Sequence, residues 1–285
     1  MSPPLYWIGT WLADVGVLPI VQGFPFHRYF SRSIQISALL LLWPAFRWVG
    51  IRNLSVLGIE RNTIWKRDLV AGFLLALAPV AALSVGYLAF NIYGFRSEWA
   101  ASGLARIAGT AVAVSLLEEF LFRCVFLGLC LLAMGRLAGV VCSSMFFAAV
   151  HFLKTSRAAL DAPVTWTSGF EQLPLLLSGA PAWPLVKWGF LSLFVAGILL
   201  AVITIRTRSL YLAIGVHAGW ILGQQGLQLI SKFRVDPPQA LLPWVGPNVV
   251  SGAVPTGIVP VAVLMMTGLL LWIYLNHAAI ARRSA

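Results

Sequence analysis

Three groups of residues have the types and spacing to do chemistry. The first is Glu118-Glu119-Phe120-Leu121-Phe122-Arg123, in the middle of the apolar run AVAVSLLEEFLFRCVFLG. Ionisable groups are expensive inside such runs and mark function by default. Helical spacing gives the two carboxylates different parts. Glu119 and Arg123 are four residues apart and share a face, with the glutamate first, the favourable order. Glu118 is rotated about 100° from Glu119 on a 3.6-residue helix. It is the carboxylate left over, and one held in apolar surroundings suits a general base. The alternative is a structural ion pair between packed helices. The second group is Phe147 and His151, also i and i+4, so that the ring can brace the imidazole. A lone histidine near the end of a span is more often interfacial. The third is His217 in SLYLAIGVHAGWILGQQGLQLI. Gly215, Gly219 and Gly223 line one stripe of that helix and let another helix approach closely. His217, Gln224 and Gln228 lie on a roughly opposite stripe together with Ile221. Such a polar stripe is expected to face a water-filled cavity or to hydrogen-bond across helices.

These residues have to be positioned by helices. Of 285 residues, 60% are hydrophobic and only 10% charged, against about 25% charged in a soluble domain. The apolar residues come in long blocks that only lipid can solvate. The expected class is all-α, a polytopic transmembrane bundle of seven to eight helices around a polar cavity. The spans expected from the sequence are 33–50, 69–92, 104–134, 137–153, 185–205, 209–230 and 257–275, with residues 5–22 a short span or an interfacial helix. The 104–134 run exceeds one upright span of about 20 residues and is expected to bend or tilt. With no internal repeat, residues 1–285 read as one transmembrane domain with its chemistry in about 104–230.

The net charge of +11 does not point to nucleic acid. Lys and Arg sit at the ends of apolar runs, where they meet headgroups, and no basic run is interleaved with exposed aromatics. Arg47, Arg52, Arg61, Lys66 and Arg67 place the 47–67 connection in the cytoplasm. Tryptophans near span ends, such as Trp48, Trp65 and Trp272, are interfacial anchors. Cys124, Cys130 and Cys142 lie in apolar runs without metal-ligand or disulfide spacing.

EExxxR, then FxxxH, then an embedded histidine, in that order on successive helices, resembles the CAAX-protease and bacteriocin-processing family of intramembrane proteases (the CPBP or Abi family). The likeness covers roughly residues 104–230. It implies a bundle of about eight helices around a hydrophilic cavity, in a multi-pass protein of the cell (inner) membrane. Its partners would be the lipid bilayer and a membrane-associated protein or peptide substrate. By this resemblance, Glu118 activates water, His151 helps hold that water, and His217 stabilises the oxyanion. Glu119 and Arg123 form the supporting pair. One position departs from the family's HxxxN motif: Ile221 stands where the Asn helps the oxyanion. Losing such a donor typically costs ~10²–10³ in rate. Gln224 and Asn248 are candidate replacements. No cofactor is expected. There is no HExxH, although Glu118, His151 and His217 form a possible three-ligand zinc set. A catalytically inactive relative that binds membrane proteins or confers immunity is the alternative that Ile221 favours. A proton-coupled transporter would call for inverted repeats, which the sequence lacks.

Overall fold

The computed structural model describes residues 1–153, 163–178, 183–234, 236, 239–241, 244–246 and 257–283. They are helical almost throughout. Every expected apolar run falls on a helix. The elements are α1 (Ser2–Asp14), α2 (Phe26–Val49), α3 (Trp65–Ala89), α4 (Ala101–Glu118), α5 (Leu127–Met134), α6 (Arg136–Val150), α7 (Ser168–Ser178), α8 (Trp183–Thr207), α9 (Tyr211–Ile230) and α10 (Val259–Arg283). Two three-residue strands, β1 (Tyr93–Phe95) and β2 (Ser231–Phe233), pair antiparallel with Tyr93 opposite Phe233. Among the described residues, three helical segments are long and apolar enough to cross a membrane: Trp65–Ala89, Trp183–Thr207 and Val259–His277.

The chain divides into two compact units, Met1–Arg52 with His151–Pro181, and Asn53–Val150 with Ala182–Ala285. In the first, α1 packs on α2 through aromatic edges. Tyr6 meets Phe26 and Tyr29 edge-on, with centroids at 5.7 and 5.3 Å, and Trp7 meets Trp166 at 4.6 Å. α7 belongs to this unit.

The second unit is organised around α3 and α9. The glycine stripe of α9 faces α3. A Cβ on Gly215 would collide with the Leu69 carbonyl, and one on Gly219 would lie 2.5 Å from the Phe73 carbonyl oxygen. On the other side, a Cβ on Gly72 would collide with the Leu212 carbonyl. The small residues therefore let two backbones meet, the packing expected of small-xxx-small stripes. Ala76, Val80, Leu212, Val216 and Leu264 fill the space alongside. A similar approach joins α6 to α8, where a Cβ on Gly197 would lie 2.9 Å from that of Ser144.

The long 104–134 run is helical from end to end, but its middle is not α. Residues Glu119–Phe126 form a π-helical segment between α4 and α5. The run ends at Gly135, whose φ of 76° lies in the left-handed half of backbone space that glycine enters without a Cβ clash. α6 starts at the next residue.

A buried polar cluster fixes the 47–67 connection to the helix ends. Asp68, in the first turn of α3, is 1% exposed. It accepts hydrogen bonds from Asn62 Nδ2 at 2.7 Å and from Tyr274 Oη at 2.6 Å. Asn62 also reaches Ser209 Oγ in the α8–α9 turn, at 3.2 Å. Next to it, Glu60 pairs with Arg208 at 2.7 Å. On the opposite end of α3, Tyr87 and Tyr93 stack with centroids at 5.6 Å. Burial beside Tyr87 pushes the Tyr93 hydroxyl's pKa up.

Candidate active site

The π-helical segment brings Glu119 and Arg123 into the helix interior contacts. Wide turns of this kind occur mostly as short insertions inside α-helices, frequently at functional sites. Glu119 is fully buried and Arg123 is 1% exposed. Arg123 Nε lies 3.4 Å from Glu119 Oε2, an ion-pair contact that is not aligned as a hydrogen bond. The guanidinium instead lies over the ring of Phe147, 4.3 Å from its centroid. A desolvated arginine over an aromatic face gains about 2 kcal/mol or more from the ring quadrupole. The pair read from spacing is therefore present, and Phe147 is its third member.

His217 enters this cluster from α9, 98 residues further along the chain. Its Nδ1 is 2.7 Å from Glu119 Oε1. Its Nε2 is 3.8 Å from Glu118 Oε2, beyond hydrogen-bond length. The ring stands edge-on to Phe147 at 6.2 Å. Phe147 thus supports both the guanidinium on one side and the imidazole on another. Two carboxylates flank the imidazole, one on each nitrogen. The carboxylate on Nδ1 fixes the ring's orientation, the role a second acidic group commonly plays for a functional histidine.

Spacing along the chain gave no sign of the contact between Glu119 and His217. Helix geometry paired Glu119 only with Arg123. The signal that exists is indirect: two buried charges of opposite sign one turn apart still leave a carboxylate oxygen to satisfy, and His217 satisfies it. The α3–α9 glycine contacts set the height of His217, because Gly215 and Gly219 bracket it and both are pressed against α3.

The remaining sequence candidates are placed as follows. Glu118 is half-buried at the end of α4, and Gln224 is half-buried two turns beyond His217 on α9. Ile221 is one turn beyond His217, also half-buried. His151 directly follows α6 and is half-buried; it falls in the first unit, whereas Glu118, Glu119, Arg123, Phe147 and His217 are in the second. Asn248 lies outside the described residues. Among the described residues no three His, Cys, Asp or Glu side chains are disposed to hold a metal ion. Glu119 has one oxygen turned to His217 and the other to Arg123.

The likeness drawn from the motifs recurs in a comparison with protein families. Residues 99–222 match the family model described as Rce1-like, type II CAAX prenyl endopeptidase Rce1-like. The matched stretch holds the paired glutamates, Arg123, Phe147, His151 and His217. No curated protein and no solved structure matches the chain.

Proposed function

We propose that this chain is an intramembrane endopeptidase that hydrolyses peptide bonds of membrane-associated substrates with a Glu/His-activated water. The observation that carries the reading is His217 held between two carboxylates, Nδ1 bound by Glu119 and Nε2 facing Glu118. In this reading Glu118 takes a proton from the attacking water, and His151 helps hold that water. The hydroxide attacks the scissile carbonyl carbon, and the carbonyl oxygen becomes an oxyanion. His217 donates Nε2–H to it. Because Glu119 already accepts from Nδ1, this donation uses the doubly protonated ring. Two carboxylates, one guanidinium and one imidazolium then sum to no net charge, the state least penalised in a low dielectric. Collapse breaks the C–N bond, and the proton on Glu118 passes to the leaving amine. The catalytic core is about 104–230, within a bundle of seven to eight spans in the cell membrane.

Gln224, on the face of α9 that carries His217, is the second donor to the oxyanion in place of the Asn that Ile221 replaces; Asn248 is the other candidate. Ile221 also favours a second reading, a binding or immunity factor without hydrolysis. The experiment that separates them compares membrane proteomes of cells holding wild type or Glu118→Gln. Peptide ends that appear only with wild type support hydrolysis. Identical ends, with membrane proteins co-purifying equally with both, support the binder. The zinc reading is tested on purified protein of measured metal content. Activity that survives in metal-free protein supports the glutamate mechanism, and activity lost on chelation and restored by zinc overturns it.

A further inference from the structure

A cleft runs between α3, α4 and α9, and neither Glu118 nor His217 lines it. One part has a volume of about 430 Å³ and is walled by Leu69 and Phe73 of α3, Ala108 and Val112 of α4, and Ile214 and Leu222 of α9. It offers a ligand almost no polar surface. The other part has a volume of about 650 Å³ and is lined by Glu60, Arg61, Asn62, Thr63 and Ser209. Trp65, Leu116, Tyr211 and Ile214 border both parts, so the two adjoin. The rings of Trp65 and Tyr211 meet at 5.3 Å and form the waist.

This division matches the layering of a bilayer. Trp and Tyr concentrate at headgroup depth, which puts the polar part among headgroups and the apolar part among acyl chains. Two charged residues line the polar end, Glu60 and Arg61, and the pairing of Glu60 with Arg208 leaves Arg61 to meet a ligand's charge. The nearby acids are already engaged: Glu60 with Arg208, and Asp68 with Asn62 and Tyr274. A ligand that fits both parts puts an apolar chain in the first and an anionic head in the second.

We propose that this cleft binds a single anionic phospholipid, one of its two acyl chains along α3, α4 and α9 and its phosphate beside Arg61. The site is independent of proteolysis, and a protein with no peptidase activity would still hold the lipid. The test is native mass spectrometry of the full chain, equilibrated in mixed micelles with equal amounts of phosphatidylcholine and phosphatidylglycerol of matched chains. Wild type should retain one phosphatidylglycerol in preference. Ala108→Trp, from an exposed wall position, should abolish retention by filling the apolar part. Val112→Trp, also exposed, serves the same purpose if the first variant does not fold. Arg61→Gln should lower the preference about fivefold, the factor that one basic group near an anionic surface supplies. Equal retention of both lipids, or retention unchanged in a folded Trp variant, would overturn the proposal. So would a lipid-free dimer that the Trp variants abolish, which would give the cleft to a second copy of the chain.

Discussion

Glu119 is fully buried, with one carboxylate oxygen on His217 and the other beside Arg123, whereas the Glu118 side chain keeps 22% of its surface. Neighbouring positions therefore predict opposite phenotypes. Glu119→Ala leaves Arg123 buried without its carboxylate, which typically costs about 3–5 kcal/mol. It also releases the imidazole from Nδ1. The expected outcome is lost abundance and a lowered thermal midpoint. Glu118→Gln keeps the shape and removes the base, so abundance and midpoint stay near wild type while hydrolysis falls ~10²–10⁴-fold, the range for general-base catalysis. Equal loss of abundance in both variants, by quantitative blotting of membranes, would contradict the division of roles. That the two side chains have different surroundings was legible from 100° steps around a helix, even though the segment starting at Glu119 is π rather than α. The steps stay large enough in either helix to turn adjacent side chains apart. What the steps could not show was the partner on α9, because a contact between residues 119 and 217 depends on how helices pack.

At the scale of elements, the α3–α9 pair positions His217, and it depends on missing side chains. Gly215→Val would drive a branched side chain into the Leu69 carbonyl, and Gly72→Val into that of Leu212. The two helices would have to part, moving His217 away from Glu119. Each variant should lose folded protein, measured as the monodisperse fraction on size-exclusion chromatography in one detergent. Gly86 is the control: on the same helix α3, a Cβ there meets nothing within 4 Å. Gly86→Ala should be neutral or stabilise by about 0.5–1 kcal/mol through helix propensity. The spacing of Gly215, Gly219 and Gly223 announced a close helix contact in the sequence. It carried no information on which helix makes it, since any helix with a small-residue face would serve. The π segment was foreshadowed only as a run too long for one straight span.

On the scale of the molecule, composition predicts the solvent and long-range polar contacts fix the arrangement. Ten per cent charged residues made a membrane environment legible at once, because no other solvent accommodates such apolar runs. Asp68 was not legible. It stands three residues into an apolar helix among Lys66 and Arg67, where an interfacial charge is ordinary. In the fold it is buried and takes hydrogen bonds from Asn62 and from Tyr274, so it joins the start of α3 to α10 and, through Asn62, to Ser209 before α9. This joint predicts a coupling. Asp68→Ala takes an acceptor from two half-buried donors, Tyr274 and Asn62, the second of which keeps its bond to Ser209, at about 1–3 kcal/mol for each bond lost. Tyr274→Phe removes only one bond and leaves Asp68 with Asn62, so its cost should be smaller, about 1.5–3 kcal/mol for a bond to a charged group and less for a neutral one. Once Asp68 is gone, Tyr274→Phe should cost less than in wild type, since the hydroxyl it removes has already lost that acceptor and keeps only Arg67. The measurement is the thermal midpoint of all four proteins in one detergent, analysed as a double-mutant cycle. Additive shifts would mean that the contact between residues 68 and 274 contributes nothing, and that α10 is held to α3 by its other contacts.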